Sequence, residues 1–163
     1  MKRFKTSNSM NYECSVKYLW EVVSSPNYLN NVHPFCKNNS AIQWDNDIHE
    51  DKIVYLNDRT YIRRFVSWRQ FEGYDLWIGD NNEDQSFVEW RLEKEDSGSK
   101  LTITVYPFLL SNWPKVFSFL PYFLYINIKL KSYLFSVLSG IDWYIKENVP
   151  VPKNQFGKHS WFS

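Results

Sequence analysis

The chain has 163 residues, enough for one domain with a single substantial core. Lys and Arg total 19 against 18 Asp and Glu. These charges are scattered, whereas a nucleic-acid surface needs a basic stripe, so that partner class is set aside.

Two cysteines, Cys14 and Cys36, make neither a disulfide framework nor a metal site. They read as reduced thiols. The opening MKRFKTSNSMNYE has no apolar signal-peptide core, and together these features lead us to expect a cytoplasmic protein. The 12 Phe, 11 Tyr and 8 Trp suit either a packed core or a cavity walled by flat rings. Size alone does not choose between them.

In chain order, residues 3–13 have weak strand character. Ser15 then offers a hydroxyl cap to a helix whose apolar Val16, Leu19, Trp20 and Val23 fall at i, i+3, i+4 and i+7. Pro26 is placed as the first residue of a second, shorter helix, which Pro34 stops. From Cys36 to Leu110 the segments SAIQW, KIVYL, TYIRRFVSW, YDLWIG, SFVEWRLEKE and KLTITVYPFL read as strands separated by polar turns. Val88, Trp90 and Leu92 alternate with charged residues, and Leu101, Ile103 and Val105 alternate with threonines. Such strands form an antiparallel sheet with one dry and one wet face.

A short helical turn is expected over residues 112–121, then a long helix over 122–148, roughly 40 Å at about 1.5 Å per residue. Its dry stripe reads as Phe123, Leu130, Leu134, Val137 or Leu138, Ile141 and Ile145. Lys129, Ser132, Ser136 and Lys146 read as the wet side. The run VFSFLPYFLYINI is too short and too interrupted for a membrane span and reads as buried helix; no integral span is expected. Residues 1–149 form one α+β domain, and the aromatic tail 150–163 gains by docking on it.

This order, with SVKYLWEVVSSPNYLNNVHP at its front, resembles the helix-grip superfamily of START domains, the birch-pollen allergen and the polyketide cyclases. The resemblance rests on Ser15, Trp20, Pro26 and His33-Pro34, and on the hairpin SFVEWRLEKEDSGSKLTITVYP at 86–107. It covers about residues 2–148. It implies a curved antiparallel sheet of six to seven strands wrapped around a long C-terminal helix, with two short helices after the first strand. It also implies a cavity for an apolar ligand between sheet and helix. The fold hosts carriers, receptors and enzymes, so function must come from the site.

Within that frame, His33 stands near the expected cavity mouth and is the first candidate for proton transfer, with Asp75 behind it. If Ile62, Val66 and Trp68 face inward, period-2 geometry puts Arg64 inside, where it needs a carboxylate partner from the protein or from a ligand. The opposite phase sends Arg63 inward with Phe65, and a bulge changes either assignment. Arg64 is taken as the cavity residue. Tyr55, Trp68, Tyr74, Trp77 and Trp90 are strand aromatics suited to a pocket wall, and Asn127 interrupts the helix's dry stripe.

His49 lies among Asp45, Asp47, Glu50 and Asp51 without a second histidine nearby, so an acidic turn is expected there and no metal. With five glycines and no phosphate loop, no cofactor is expected. The leading expectation is the binding of a lipid, isoprenoid or polyketide-like molecule. The alternatives are a cyclase or dehydratase using a cavity His or Asp, and a domain that contacts proteins or a membrane surface without a ligand.

Overall fold

The computed structural model describes residues 4–80, 85–108 and 121–163. Seven strands form one antiparallel sheet: β1 (Thr6–Tyr12), β2 (Cys36–Trp44), β3 (His49–Tyr55), β4 (Thr60–Arg69), β5 (Gly73–Gly79), β6 (Gln85–Glu95) and β7 (Gly98–Tyr106). Their order is β1-β7-β6-β5-β4-β3-β2. Consecutive strands from β2 to β7 are neighbours, so local turns set their pairing. Only the step from β1 to β2 crosses the whole sheet, and two helices carry it: α1 (Val16–Ser24) and α2 (Leu29–Val32). The Ser15 hydroxyl accepts the Tyr18 N–H at 3.1 Å and starts α1 as its sequence implies. The second helix begins three residues later than Pro26, after Asn27 takes a positive φ of 62°.

A π-helical turn at Tyr122–Ile126 leads into the long helix α3 (Asn127–Glu147), which lies in the concave side of the sheet. Asn148, at φ 54°, ends it in the left-handed region. The helical turn expected over residues 112–120 lies outside the described residues. No described helix is long and apolar enough to cross a membrane.

Leu130, Leu134, Val137 and Ile141 face inward as the stripe requires. Two expectations about this region need correcting. Ser136, assigned to the wet side, is buried; it lies one turn before Gly140, on the flank that meets Val32 and Pro34. In the run expected as buried helix, Tyr122 and Ile126 are buried, but Phe123, Leu124, Tyr125 and Ile128 are exposed.

Helix α3 is held at two places. At its start, the Thr6 hydroxyl of β1 donates to Asn127 Oδ1 at 2.8 Å and lies 2.7 Å from the Tyr122 hydroxyl. Near its end Gly140 passes α2 so closely that a Cβ there would sit 2.1 Å from the Val32 carbonyl oxygen.

The chain then turns back along the sheet edge. Val151 N–H donates to Asn31 O at 2.9 Å and Asn154 N–H to Pro34 O at 3.0 Å. Asn57 Nδ2 donates to Trp161 O at 2.8 Å. Phe162 is buried against Tyr55 and Tyr133, with ring centroids 4.4 and 4.7 Å away.

Candidate functional site

Between the inner face of the sheet and α3 lies a cavity of about 110 Å³. The sheet contributes Ile53, Leu76, Val88, Trp90, Ile103 and Val105. These are the dry positions of β3, β5, β6 and β7, each two residues from the next along its strand. Helix α3 contributes Leu130, Tyr133, Leu134 and Val137, α2 contributes Leu29, and the tail contributes Phe162. At one end the wall residues Tyr61, Ile78, Ser86 and Phe108 are half-exposed, so the interior comes nearest to solvent there.

Two polar networks border this space. In the first, His33 ends α2 and its ring is buried. Its Nδ1 accepts the Phe35 N–H at 3.2 Å, so the neutral ring carries its proton on Nε2 and donates it to the Tyr133 hydroxyl at 2.8 Å. Tyr133 lies in turn 3.3 Å from the Tyr55 hydroxyl. Burial, and secondarily the charges of Arg63 and Lys153, push the His33 pKa down to about 3. A base that weak, with Nδ1 already engaged, is poorly matched to proton transfer near neutral pH.

In the second network Arg63 grips Asp51 with both ends of its fork, Nε to Oδ1 at 2.7 Å and Nη2 to Oδ2 at 2.5 Å. Arg63 Nη1 donates to the Tyr28 hydroxyl at 2.9 Å. Tyr28 lies 2.7 Å from the Tyr74 hydroxyl, which donates to the Val23 carbonyl at 3.1 Å. Tyr74 spends its proton on Val23, so Tyr28 donates to Tyr74 and every hydroxyl in the chain has a partner. Asp51 and Arg63 are cross-strand partners in the β3–β4 register, which is why they meet.

Of the residues expected at the site, His33, Tyr55 and Trp90 line the cavity. Arg64 does not: it lies on the outer face, half-exposed, with Nε 3.1 Å from Glu50 Oε2. The reason is a bulge. Phe65 pairs with Leu76 and Ser67 with Asp75, leaving Val66 as the extra residue, 57% exposed. The bulge resets the strand's phase, so Arg63, Phe65 and Trp68 share the inner face.

Trp68 and Tyr74 belong to an aromatic cluster at the far side of Arg63. Trp68 stacks on His49 at 3.8 Å and on Tyr74 at 5.3 Å, and Trp20, Trp44 and Phe65 complete it. These rings fill space instead of lining it. Trp77 points outward and packs on Phe87. Asp75 also faces outward, bound by Arg91 and Arg69; burial would raise its pKa, but those two partners outweigh it and hold the carboxyl below its usual range. Asn127 anchors the helix start to Thr6 and does not line the cavity.

Sequence reasoning weighed Arg63 as the opposite strand phase but chose Arg64, and it missed Asp51, Tyr133 and Phe162 as site residues. A signal for Asp51 was present: it falls in phase with Ile53 and Tyr55, and an inward carboxylate demands an inward cation. Among the described residues no cluster of His, Cys, Asp or Glu has a metal-binding arrangement.

No protein-family model and no curated protein matches this sequence. Solved structures do match. Ara h 8.0201 superposes with a TM-score of 0.65 at 17% identity, over 89% of this chain and 99% of that one. DynU16, from the dynemicin biosynthetic locus, gives 0.67 at 12% identity, over 90% of this chain and 48% of that one. The di-domain ARO/CYC BexL from the BE-7585A biosynthetic pathway gives 0.69 at 7% identity, over 88% of this chain and 47% of that one. The chain thus spans about half of the latter two. It has the Bet v 1-like helix-grip fold, and at these identities the likeness speaks to fold alone.

Proposed function

We propose that this helix-grip protein binds one small apolar molecule, a single ring with one polar end, between its sheet and α3. The observation that carries the reading is the cavity itself, walled by aliphatic side chains and bordered by two hydrogen-bonded networks. Its size sets the ligand class. About 110 Å³ is near the engineered apolar cavity of about 150 Å³ that takes up benzene, and below the roughly 300–1,000 Å³ of drug-sized pockets. A fatty-acyl chain or a multi-ring polyketide does not fit while Phe162 occupies the wall. The helix-grip fold shared with Ara h 8.0201 and DynU16 agrees with an interior site between sheet and helix, and the lining of this chain supplies the apolar character.

The test is titration with toluene, followed by amide NMR shifts and by thermal unfolding. Binding to the folded state raises Tm by mass action. Shifts confined to residues such as Ile53, Val88 and Leu134 are the expected result. Absence of any shift, together with no xenon density between sheet and helix in a pressurised crystal, defeats the reading.

A further inference from the structure

The direction of the hydrogen bonds around the cavity sets a requirement on its occupant. His33 Nε2 donates to Tyr133, and the Tyr133 and Tyr55 hydroxyls, 3.3 Å apart, share one hydrogen bond that either can donate. Whichever donates, one O–H of the pair is left over, and no described residue supplies an acceptor for it. Burial pushes the Tyr55 pKa well above its ordinary value, so the hydroxyl stays a donor. Arg63 also lines the cavity, and three of its five N–H groups are used, two on Asp51 and one on Tyr28. Asp51, the carboxylate of this layer, is taken up by the bidentate grip of Arg63. The remaining wall hydroxyls, Tyr61 and Ser86, belong to the half-exposed end. The enclosed part of the wall thus offers donors and no uncommitted acceptor.

From this we infer that the occupant presents a neutral hydrogen-bond acceptor, a carbonyl oxygen, to the left-over O–H of the Tyr55–Tyr133 pair, and brings no donor of its own. A ligand hydroxyl would leave its proton unpaired in an apolar space. A carboxylate would enter beside an Arg63 already neutralised by Asp51, leaving a buried charge uncompensated.

This inference rests on the cavity being a binding site, and the experiment separates the two. Four ring compounds of similar size are titrated by calorimetry: methylcyclohexane, cyclohexanone, cyclohexanol and cyclohexanecarboxylate. The ketone is expected to bind about tenfold tighter than the hydrocarbon, the size of one net hydrogen bond, with the alcohol and the carboxylate weaker than the ketone. The double variant Tyr55→Phe/Tyr133→Phe, which removes both hydroxyls of the pair, brings the ketone down to the hydrocarbon's affinity. The infrared carbonyl stretch of the bound ketone moves to lower frequency in the unmodified protein, a readout independent of how the variant folds. Equal affinity of ketone and hydrocarbon, or an alcohol or carboxylate that binds tightest, overturns the inference and leaves the binding reading standing. No binding by any of the four removes both.

A second inference rests on a different surface. Leu124, Ile128 and Phe135 are 69%, 59% and 53% exposed and, with Lys131, lie along one outer face at the start of α3. Tyr125 and Lys129 flank it, the ammonium 5.9 Å from the ring centre. The cations of this face are Lys129 and Lys131, and no Asp or Glu occurs in the sequence from residue 121 to 141. The geometry points to an anionic lipid bilayer as the partner of this face. An apolar strip with lysines among it suits headgroup depth, where lysine stems lie along the apolar zone and their charges reach the phosphates. A second copy of the chain fits less well, because Lys131 stands between Ile128 and Phe135, and lysine is depleted from the centres of protein interfaces.

Flotation with phosphatidylcholine vesicles, with and without phosphatidylglycerol, tests this. Binding is expected to the anionic vesicles only, to fall with added salt, and to be lost in Ile128→Asp and in the Lys129→Glu/Lys131→Glu double variant. No flotation with either lipid overturns it. So does a concentration-dependent dimer that Ile128→Asp abolishes.

Discussion

The sharpest energetic consequence of the structure concerns Asp51 and Arg63. Their side chains are 0% and 4% exposed, and they face each other across β3 and β4. Replacing Asp51 by Leu leaves a guanidinium buried without a counter-charge, which costs about 3–5 kcal/mol. Arg63→Met leaves a buried carboxylate and costs about the same. It also removes the donor to Tyr28, whose own proton still reaches Tyr74, so only an acceptor is orphaned, adding about 1 kcal/mol.

The double variant Asp51→Leu/Arg63→Met removes both charges and refills the volume with apolar atoms. It is expected within about 1–2 kcal/mol of the parent, far from the sum of the singles. For a domain of this size each single change lowers Tm by about 6–20 °C. Urea unfolding followed by tryptophan fluorescence measures all three. Arg64→Ala is the control: its pair with Glu50 is half in solvent, and its loss costs under about 1 kcal/mol. Single variants that cost under about 1 kcal/mol, or a double variant equal to their sum, would refute the argument.

Three other outcomes are expected. Gly140→Ala, a change that usually stabilises a helix interior by about 1 kcal/mol, here destabilises by about 1–3 kcal/mol, because the added Cβ meets Val32 O at 2.1 Å; a gain in the urea midpoint would contradict the close packing of α3 on α2. Phe162→Ala costs about 3 kcal/mol, the low end for a buried Phe because the residue is near the chain end, and it admits two-ring ligands such as naphthalene; calorimetry reads both. Stability falls as pH drops below about 6.5, since His33 stays neutral in the fold down to about 3 while the unfolded chain takes up its proton. The slope from this group is about 1.4 kcal/mol per pH unit, with the buried His159 acting in the same direction, and His33→Gln should flatten it.

The fold was legible wherever periodicity was unbroken. Val88, Trp90, Leu92, Leu101, Ile103 and Val105, read as one dry face, are all buried, and Ser15 caps α1 as its position implied. The site was less legible because its key arginine sits three residues before the bulge at Val66. Strict alternation counted back from Trp68 selects Arg64, whereas alternation counted back from Phe65 selects Arg63; one extra residue separates the two answers. The Phe123 assignment failed for a related reason, since the π-helical turn alters the stripe that 3.6-residue spacing would draw. Phe162 reaches the cavity through the return of the tail and meets Tyr133 of α3 there, a long-range placement that no local pattern encodes.

The cavity follows from where α3 is held. Thr6 holds its start through Asn127 and Tyr122, and Gly140 lets it touch α2 near its end. Between these points the helix faces a concave sheet, and it presents there Leu130, Leu134 and Val137 together with the ring of Tyr133. Rings also stand at the margins, in the His33–Tyr133–Tyr55 ladder on one side and the Arg63 layer with its aromatic cluster on another. A sequence with 31 aromatic residues among 163 had ample means to close the gap with one more ring. The wall instead mixes aliphatic side chains from sheet and helix with the rings of Trp90, Tyr55, Tyr133 and Phe162, and under the proposed function these rings set the size of what the space admits.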